Sequence, residues 1–176
     1  MCIRDRALSE LGCTVDDLSA HLSIDCGDSP TSIAEASFYQ EQWRQVLGIE
    51  VAVNSMITKQ GSQNRKTGNY VMSVTGWGPD YNDPNTFLDI WVTDGGNNQT
   101  GFSNERYDEL IDLAAKETDL EKRESYFIEC EQIIADQLPI GPSYWRAPSY
   151  ACSDKIKGGM HRSTFQDINA VYVKLS

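Results

Sequence analysis

The residues best suited to chemistry lie between positions 76 and 89. The run Gly76-Trp77-Gly78-Pro79-Asp80-Tyr81-Asn82-Asp83-Pro84 sets two carboxylates, an amide and two aromatic rings among turn formers, and Asp89 follows shortly. Acids this close suggest a calcium loop. The EF-hand form fails, however: Pro84 interrupts the ligand series, no Gly stands at the sixth position and no Glu closes the twelfth. A carboxylate on a rigid turn can instead pair with a ligand's ammonium group, and excluding water would strengthen that pair. The competing role for Asp80 is local, an Asp beside Pro79 capping its own turn. A hydrolase would need two of these acids converging in a pocket with separated pKa values, and no motif supports one.

Other chemistries have less footing. The two histidines, His21 and His161, lie in no nucleophile motif, and there is no G-x-S-x-G elbow. A triad assembled in space stays open on sequence grounds, although an ordinary surface or buried role suits each histidine better. No G-x-x-x-x-G-K-[ST] or G-x-G-x-x-G loop is present, so nucleotide binding has no support. Cys2, Cys13, Cys26, Cys130 and Cys152 include no C-x-x-C pair, which disfavours zinc and thiol redox chemistry. Cys26 and Cys130 fall in apolar-periodic segments and read as buried thiols. Asn98-Gln99-Thr100 has the form of a glycosylation acceptor, a triplet common by chance. No cofactor and no metal are expected.

The elements that would position the 76–89 segment can be traced on both sides of it. Ala7 to Leu11 reads as the tail of a helix stopped by Gly12. Leu22 and Ile24 alternate with Ser23 and Asp25 as a strand. A turn at Gly27-Asp28-Ser29-Pro30 leads into a helix over 31–47, with Ala36, Tyr39, Trp43, Val46 and Leu47 as its apolar stripe and Gly48 as its stop. Ile49, Val51 and Val53 form a second strand, so a parallel βαβ unit is expected. A short helix over 58–68 precedes a third strand over 70–75. After the aromatic turn, a short helix is expected from Pro84 to Trp91. Two longer helices follow, over 104–117 and 119–137. The first carries Tyr107, Leu110, Ile111 and Ala114. The second opens on a Thr118-x-x-Glu121 capping box and carries Leu120, Phe127, Cys130 and Ile134. Leu138-Pro139-Ile140-Gly141-Pro142 breaks the pattern, and residues 171–174 alternate as a last strand. The fold class is α/β.

The whole-chain totals fit a soluble module. The chain has 176 residues, 40% of them hydrophobic and 23% charged, enough for a core and ordinary for a globular protein. A formal net charge of −11 argues against nucleic acid, whose binding depends on Lys and Arg neutralising phosphates, and against an anionic membrane surface. No apolar run is long enough to span a bilayer, and no secretory signal is visible near residue 1. Met1-Cys2-Ile3-Arg4-Asp5-Arg6 resembles the translation of a common sequencing-library adapter. Residues 1–6 are therefore expected to be a non-native scar on a truncated reading frame, and they are left out of the fold reading.

The stretch from Gly76 to Pro84 resembles a motif of the solute-binding proteins that serve dipeptide and oligopeptide ABC importers. There a strand ends in Gly-Trp, an Asp-Tyr pair follows two residues on, and then come Asn, an acid and Pro. The resemblance continues through Phe87-Leu88, the Asn97-Asn98 loop, Ser103 to Leu113, the helix around Arg123 and Tyr126, Leu138-Pro139-Ile140 and Gly158-Gly159. It spans nearly everything after residue 7, and its strength lies in the order and spacing of the pieces. Members of the family are longer, begin with a secretion signal and often carry a lipid-attachment cysteine. The resemblance therefore implies a C-terminal fragment, with residues 7–155 as part of one lobe of a two-lobed clamshell built on a mixed sheet flanked by helices. Residues 156–176 would return to the other lobe.

The implied function is to bind peptides outside the cytoplasm, in the periplasm or at the cell surface, and deliver them to the membrane subunits of an ABC transporter. The full-length parent is expected to be monomeric and not an enzyme. By this resemblance Asp80 matches the aspartate that pairs with the peptide's ammonium, and Trp77 matches a tryptophan lining a side-chain pocket. Gly78, between them in the motif, and Tyr81 are counted with the ligand-binding residues, with Tyr81 expected to pack beneath the loop. Arg65 stands where some oligopeptide binders place an arginine facing the ligand's carboxylate end. Two departures bear on ligand length: Val74 replaces a second arginine, and Met160 replaces a tyrosine. Relatives that bind nickel complexes or oligosaccharides share the architecture, so the fold does not choose the ligand.

Overall fold

A computed structural model describes residues 3–145, 151–158, 161–162, 168–169 and 174–175. Cys2, Gly159, Met160 and the stretch 171–173 of the expected last strand lie outside the described residues, as does the His161 side chain. The chain divides into two compact units, Met1–Gly76 and Trp77–Ser176.

The first unit is the expected parallel βαβ arrangement with a third strand added. Its helices are α1 (Ile3–Leu11), α2 (Val15–Ser19), α3 (Pro30–Leu47) and α4 (Thr58–Thr67), and its strands are β1 (Ser23–Gly27), β2 (Ala52–Met56) and β3 (Met72–Ser73). The sheet order is β2-β1-β3, and both pairings are parallel. Ser29 caps α3 by accepting the Ser32 amide at 3.1 Å, and Pro30 sits at its first turn, where a missing N–H costs nothing. Gly48 closes the helix at φ 68°, a left-handed conformation that a side chain would strain.

Several expectations shift here. Residues 3–6, left out of the fold reading, are helical, and Arg4 Nη1 donates to the Leu47 carbonyl at 2.9 Å. The second strand pairs from Ala52 rather than from Ile49, because β1 begins only at Ser23. Ile49 and Val51 are nonetheless buried in the core. The third strand pairs regularly only over Met72–Ser73, since the turn after α4 is still closing at Asn69, whose amide donates to the Asn64 carbonyl. Val46 is exposed rather than on the buried stripe of α3, while Ala36 is fully enclosed and Tyr39 stacks on Trp43 at 5.9 Å. Asp25, a charged residue in the alternating β1 pattern, is buried at 5% exposure. As the middle strand of a parallel sheet, β1 is covered on both faces. Asn54 and Asn64 donate to the Asp25 carboxylate at 3.1 and 3.4 Å and answer its polarity.

The second unit holds α5 (Asn85–Leu88), a 3₁₀ turn at Asp89–Trp91, α6 (Glu105–Lys116) and α7 (Leu120–Gln137). Short antiparallel pairs follow: β4 (Ile156–Lys157) with β7 (Lys174–Leu175), and β5 (His161–Arg162) with β6 (Ile168–Asn169). Tyr107, Leu110, Ile111 and Ala114 of α6 pack on Phe127, Cys130 and Ile134 of α7, with Leu88 below them. Each large apolar side chain buried this way contributes about 1.5–3 kcal/mol. The Tyr107 hydroxyl has no solvent exposure and donates to the Leu88 carbonyl at 2.7 Å.

Both long helices start close to where the sequence placed them, with one correction. Asn104 caps α6, but Asp119 rather than Thr118 caps α7, accepting the Lys122 amide at 3.0 Å. The Glu117 carboxylate takes the amides of Thr118 and Asp119, which moves the start by one residue. Leu120, expected on the buried stripe, is exposed in this first turn.

Candidate functional site

The 77–91 segment is built by folding its own acids back onto the chain. Asp83 accepts two parallel bonds from Arg123, Nη1 to Oδ2 at 2.7 Å and Nη2 to Oδ1 at 2.9 Å, and also takes the Asn85 amide at 2.9 Å. The Arg123 hydrogen bonds hold its carboxyl below the usual value. Asp89 accepts the Tyr81 hydroxyl at 2.8 Å and the Asn85 amide nitrogen at 3.2 Å. Burial first, and then this bond to Asp89, push the Tyr81 phenol above its ordinary value. Two of the segment's three acids are thus committed to structure.

Asp80 differs. Its backbone amide donates to Thr86 Oγ1 at 2.9 Å, and Thr86 is only 1% exposed, so the main chain at Asp80 is pinned to the buried start of α5. Its carboxylate lies exposed, with no hydrogen bond or ion pair among the described residues. The local capping role considered for this side chain is filled by Thr86 and Asp83 instead, through the Thr86 hydroxyl and the Asp83 carboxylate.

The other sequence-derived candidates fall as follows. Trp77 is 39% exposed and joins neither core cluster. At Gly78 a Cβ would meet nothing within 4 Å, so the space in front of it is open. Tyr81 is 40% exposed and is tied to α5 and the 3₁₀ turn through its hydroxyl, rather than packed under the loop. These three and Asp80 share one short segment of the second unit. Arg65 belongs to the first unit, on α4, where its Nη1 lies 3.4 Å from Ser73 Oγ on β3.

Three residues that hold this region gave no sign of that role in the sequence. Thr86 looked like part of a helix start. Arg123 stands forty positions from Asp83. The Asn98 amide nitrogen donates to the carbonyls of Trp91, Val92 and Phe102 at 2.8–3.3 Å, so this apparent glycosylation acceptor staples the loop between the 3₁₀ turn and α6. Among the described residues, no three His, Cys, Asp or Glu side chains are grouped to hold a metal ion, and no helix is long and apolar enough to cross a membrane.

Comparison with known proteins bears on the family and the fold. Residues 7–99 match the family model described as bacterial extracellular solute-binding proteins, family 5 Middle. The oligopeptide-binding protein OppA of Bacillus subtilis (strain 168) is 32% identical over 162 residues, which is 88% of this chain and 28% of the relative. The dipeptide-binding protein of Lactococcus lactis subsp. cremoris (strain MG1363) is 30% identical over 175 residues, 96% of this chain and 31% of the relative. The structure of Listeria monocytogenes OppA bound to peptide superposes with a TM-score of 0.80 at 30% identity, covering 98% of this chain and 32% of that one. The fold is therefore that of the extracytoplasmic solute-binding proteins. The chain belongs to family 5 of the bacterial extracellular solute-binding proteins and spans less than a third of the length of these relatives.

Proposed function

We propose that the protein carrying this chain binds peptides outside the cytoplasm and passes them to an ABC importer, with Asp80 pairing with the ligand's α-ammonium group. One observation carries this reading. On a segment with three acids, Asp83 and Asp89 are consumed by Arg123, Tyr81 and Asn85, while the Asp80 carboxylate is exposed and has no partner among the described residues, on a pinned backbone. A carboxylate on a pinned main chain has less freedom to lose on meeting a cation than one on a mobile loop. Exposed Trp77 and the open space at Gly78 suit a neighbouring side-chain pocket. Residues 7–155 would form part of the ligand-binding lobe, and 156–176 the segment returning to the other.

The reading is tested by calorimetric titration of the full-length protein and its Asp80→Asn variant with free and N-acetylated peptides. Truncating one partner of a desolvated charge pair costs about 2–5 kcal/mol, or roughly 30- to several-thousand-fold in affinity. That loss is expected for the free peptides and not for the acetylated ones. Equal losses for both would reduce Asp80 to a turn residue. A carboxylate hydrolase on the same segment is disfavoured, because Arg123 keeps Asp83 ionised and a general acid would need the opposite shift. A nickel-complex or oligosaccharide binder would show no preference for a free amino terminus.

A further inference from the structure

We propose that Arg123 is a positioning residue for the ligand-facing carboxylate of Asp80, acting through Asp83 and the start of α5. This rests on the reading that Asp80 pairs with a peptide ammonium. Arg123 is engaged through all three of its side-chain nitrogens. Its Nη1 and Nη2 grip Asp83, its Nε donates to the Ala114 carbonyl at 3.0 Å, and its guanidinium lies 4.7 Å from the centre of the Phe127 ring. Ala114 is in the last turn of α6, where carbonyls lack helical partners. One side chain thus joins the end of α6, the packed face of α7 and the acidic segment. A guanidinium engaged this way is not offered to a ligand, and its effect must pass through what it holds.

The path from Arg123 to Asp80 is short. With its carboxylate clamped, Asp83 takes the Asn85 amide on Oδ1 and the Thr86 amide on its carbonyl at 3.2 Å, and its own amide donates to the Tyr81 carbonyl at 3.0 Å. Thr86, set by that bond, accepts the Asp80 amide. Asp83 and Thr86 therefore fix the main chain on both sides of Tyr81, and the Asp80 carboxylate inherits that placement. Paired charges need accurate placement, so loosening the clamp should weaken the ammonium contact while leaving contacts elsewhere on the ligand intact.

The experiment measures the apparent affinity of the full-length protein for a pool of free tri- to pentapeptides and for the same pool N-acetylated, in the wild type and in Asp80→Asn, Arg123→Met, Arg123→Lys and Thr86→Val. The expected result is a preference for the free pool that Asp80→Asn abolishes and that Arg123→Met and Thr86→Val each cut about tenfold, with Arg123→Lys between them and the wild type. If the wild type has no such preference, or Asp80→Asn keeps it, the Asp80 reading fails and the inference falls with it. If Asp80→Asn abolishes the preference but Arg123→Met and Thr86→Val keep it within about twofold, the inference alone is overturned. Equal weakening of both pools by Arg123→Met would likewise overturn it, since that is what a purely structural arginine would do. Should Arg123→Met not fold, Thr86→Val decides, because its near-isosteric side chain removes only the acceptor for the Asp80 amide.

Discussion

Arg123 and Asp83 stand forty positions apart, yet their side chains meet through two parallel hydrogen bonds of 2.7 and 2.9 Å, both partly shielded from water. The pair ties the segment after Trp77 to the two long helices of the second unit. Bidentate geometry fixes direction as well as distance, which a lysine in the same place would not do.

The pair has a pH signature. The carboxyl of Asp83 is lowered in the folded state, first by its hydrogen bonds to Arg123. Its contribution to stability is therefore complete above the unfolded value, near 4, and is lost as pH falls through the lower folded value. Urea unfolding of wild type and Asp83→Asn should show a constant stability gap from about pH 8 to 5, narrowing only below about pH 4. A gap that closes near pH 6 would point to a different group.

The core of the second unit should respond steeply to small changes. Tyr107→Phe removes a fully buried hydroxyl and its bond to the Leu88 carbonyl, at an expected cost of about 1–3 kcal/mol. Leu110→Ala, at a site with no exposure, should cost about 2–5 kcal/mol. Equilibrium denaturation measures both. Losses under about 0.5 kcal/mol would mean that α6 and α7 do not pack as described.

Thiol labelling separates the cysteines. Burial pushes the Cys130 thiol up to about 12 and also raises Cys26, and both side chains are enclosed, whereas Cys152 is exposed. Only the thiolate reacts, so an aromatic disulfide reagent at pH 8 should modify Cys152 in the native protein and reach Cys26 and Cys130 only on unfolding. Rapid native labelling of Cys130 would contradict the packing between α6 and α7.

Asn98→Ala should loosen the 92–102 loop. It removes the donor shared by three carbonyls and the acceptor for the Thr100 amide and hydroxyl. The expected loss is about 1–3 kcal/mol, with faster hydrogen exchange confined to that loop. Unchanged exchange there would mean that the staple is not formed.

The order of elements was legible because it rests on local signals. Ser29-Pro30, Gly48 and Asn104 mark helix ends through caps and left-handed turns, and the three-and-four spacing from Tyr107 to Ala114 marks a buried face. The misplacements came where partners decide. The burial of Asp25 was not legible, because alternation does not reveal that both faces of a middle strand will be covered. Asp119 displaced Thr118 as a cap once the Glu117 carboxylate had taken the intervening amides.

The candidate segment divides along the same line. The sequence by itself determined that an acid-rich aromatic turn sits between an α/β unit and a helical pair, since turn formers and periodicity act over a few residues. It showed Asp80, Asp83 and Asp89 as acids without distinguishing among them. Only the tertiary structure decided that Arg123 would consume Asp83, that Tyr81 and Asn85 would consume Asp89, and that Thr86 would hold the backbone of Asp80 while its carboxylate stayed exposed. Which charge is spent inside a fold and which is left for a ligand depends on partners brought together across the chain. For Asp83, that partner is on a helix forty residues away.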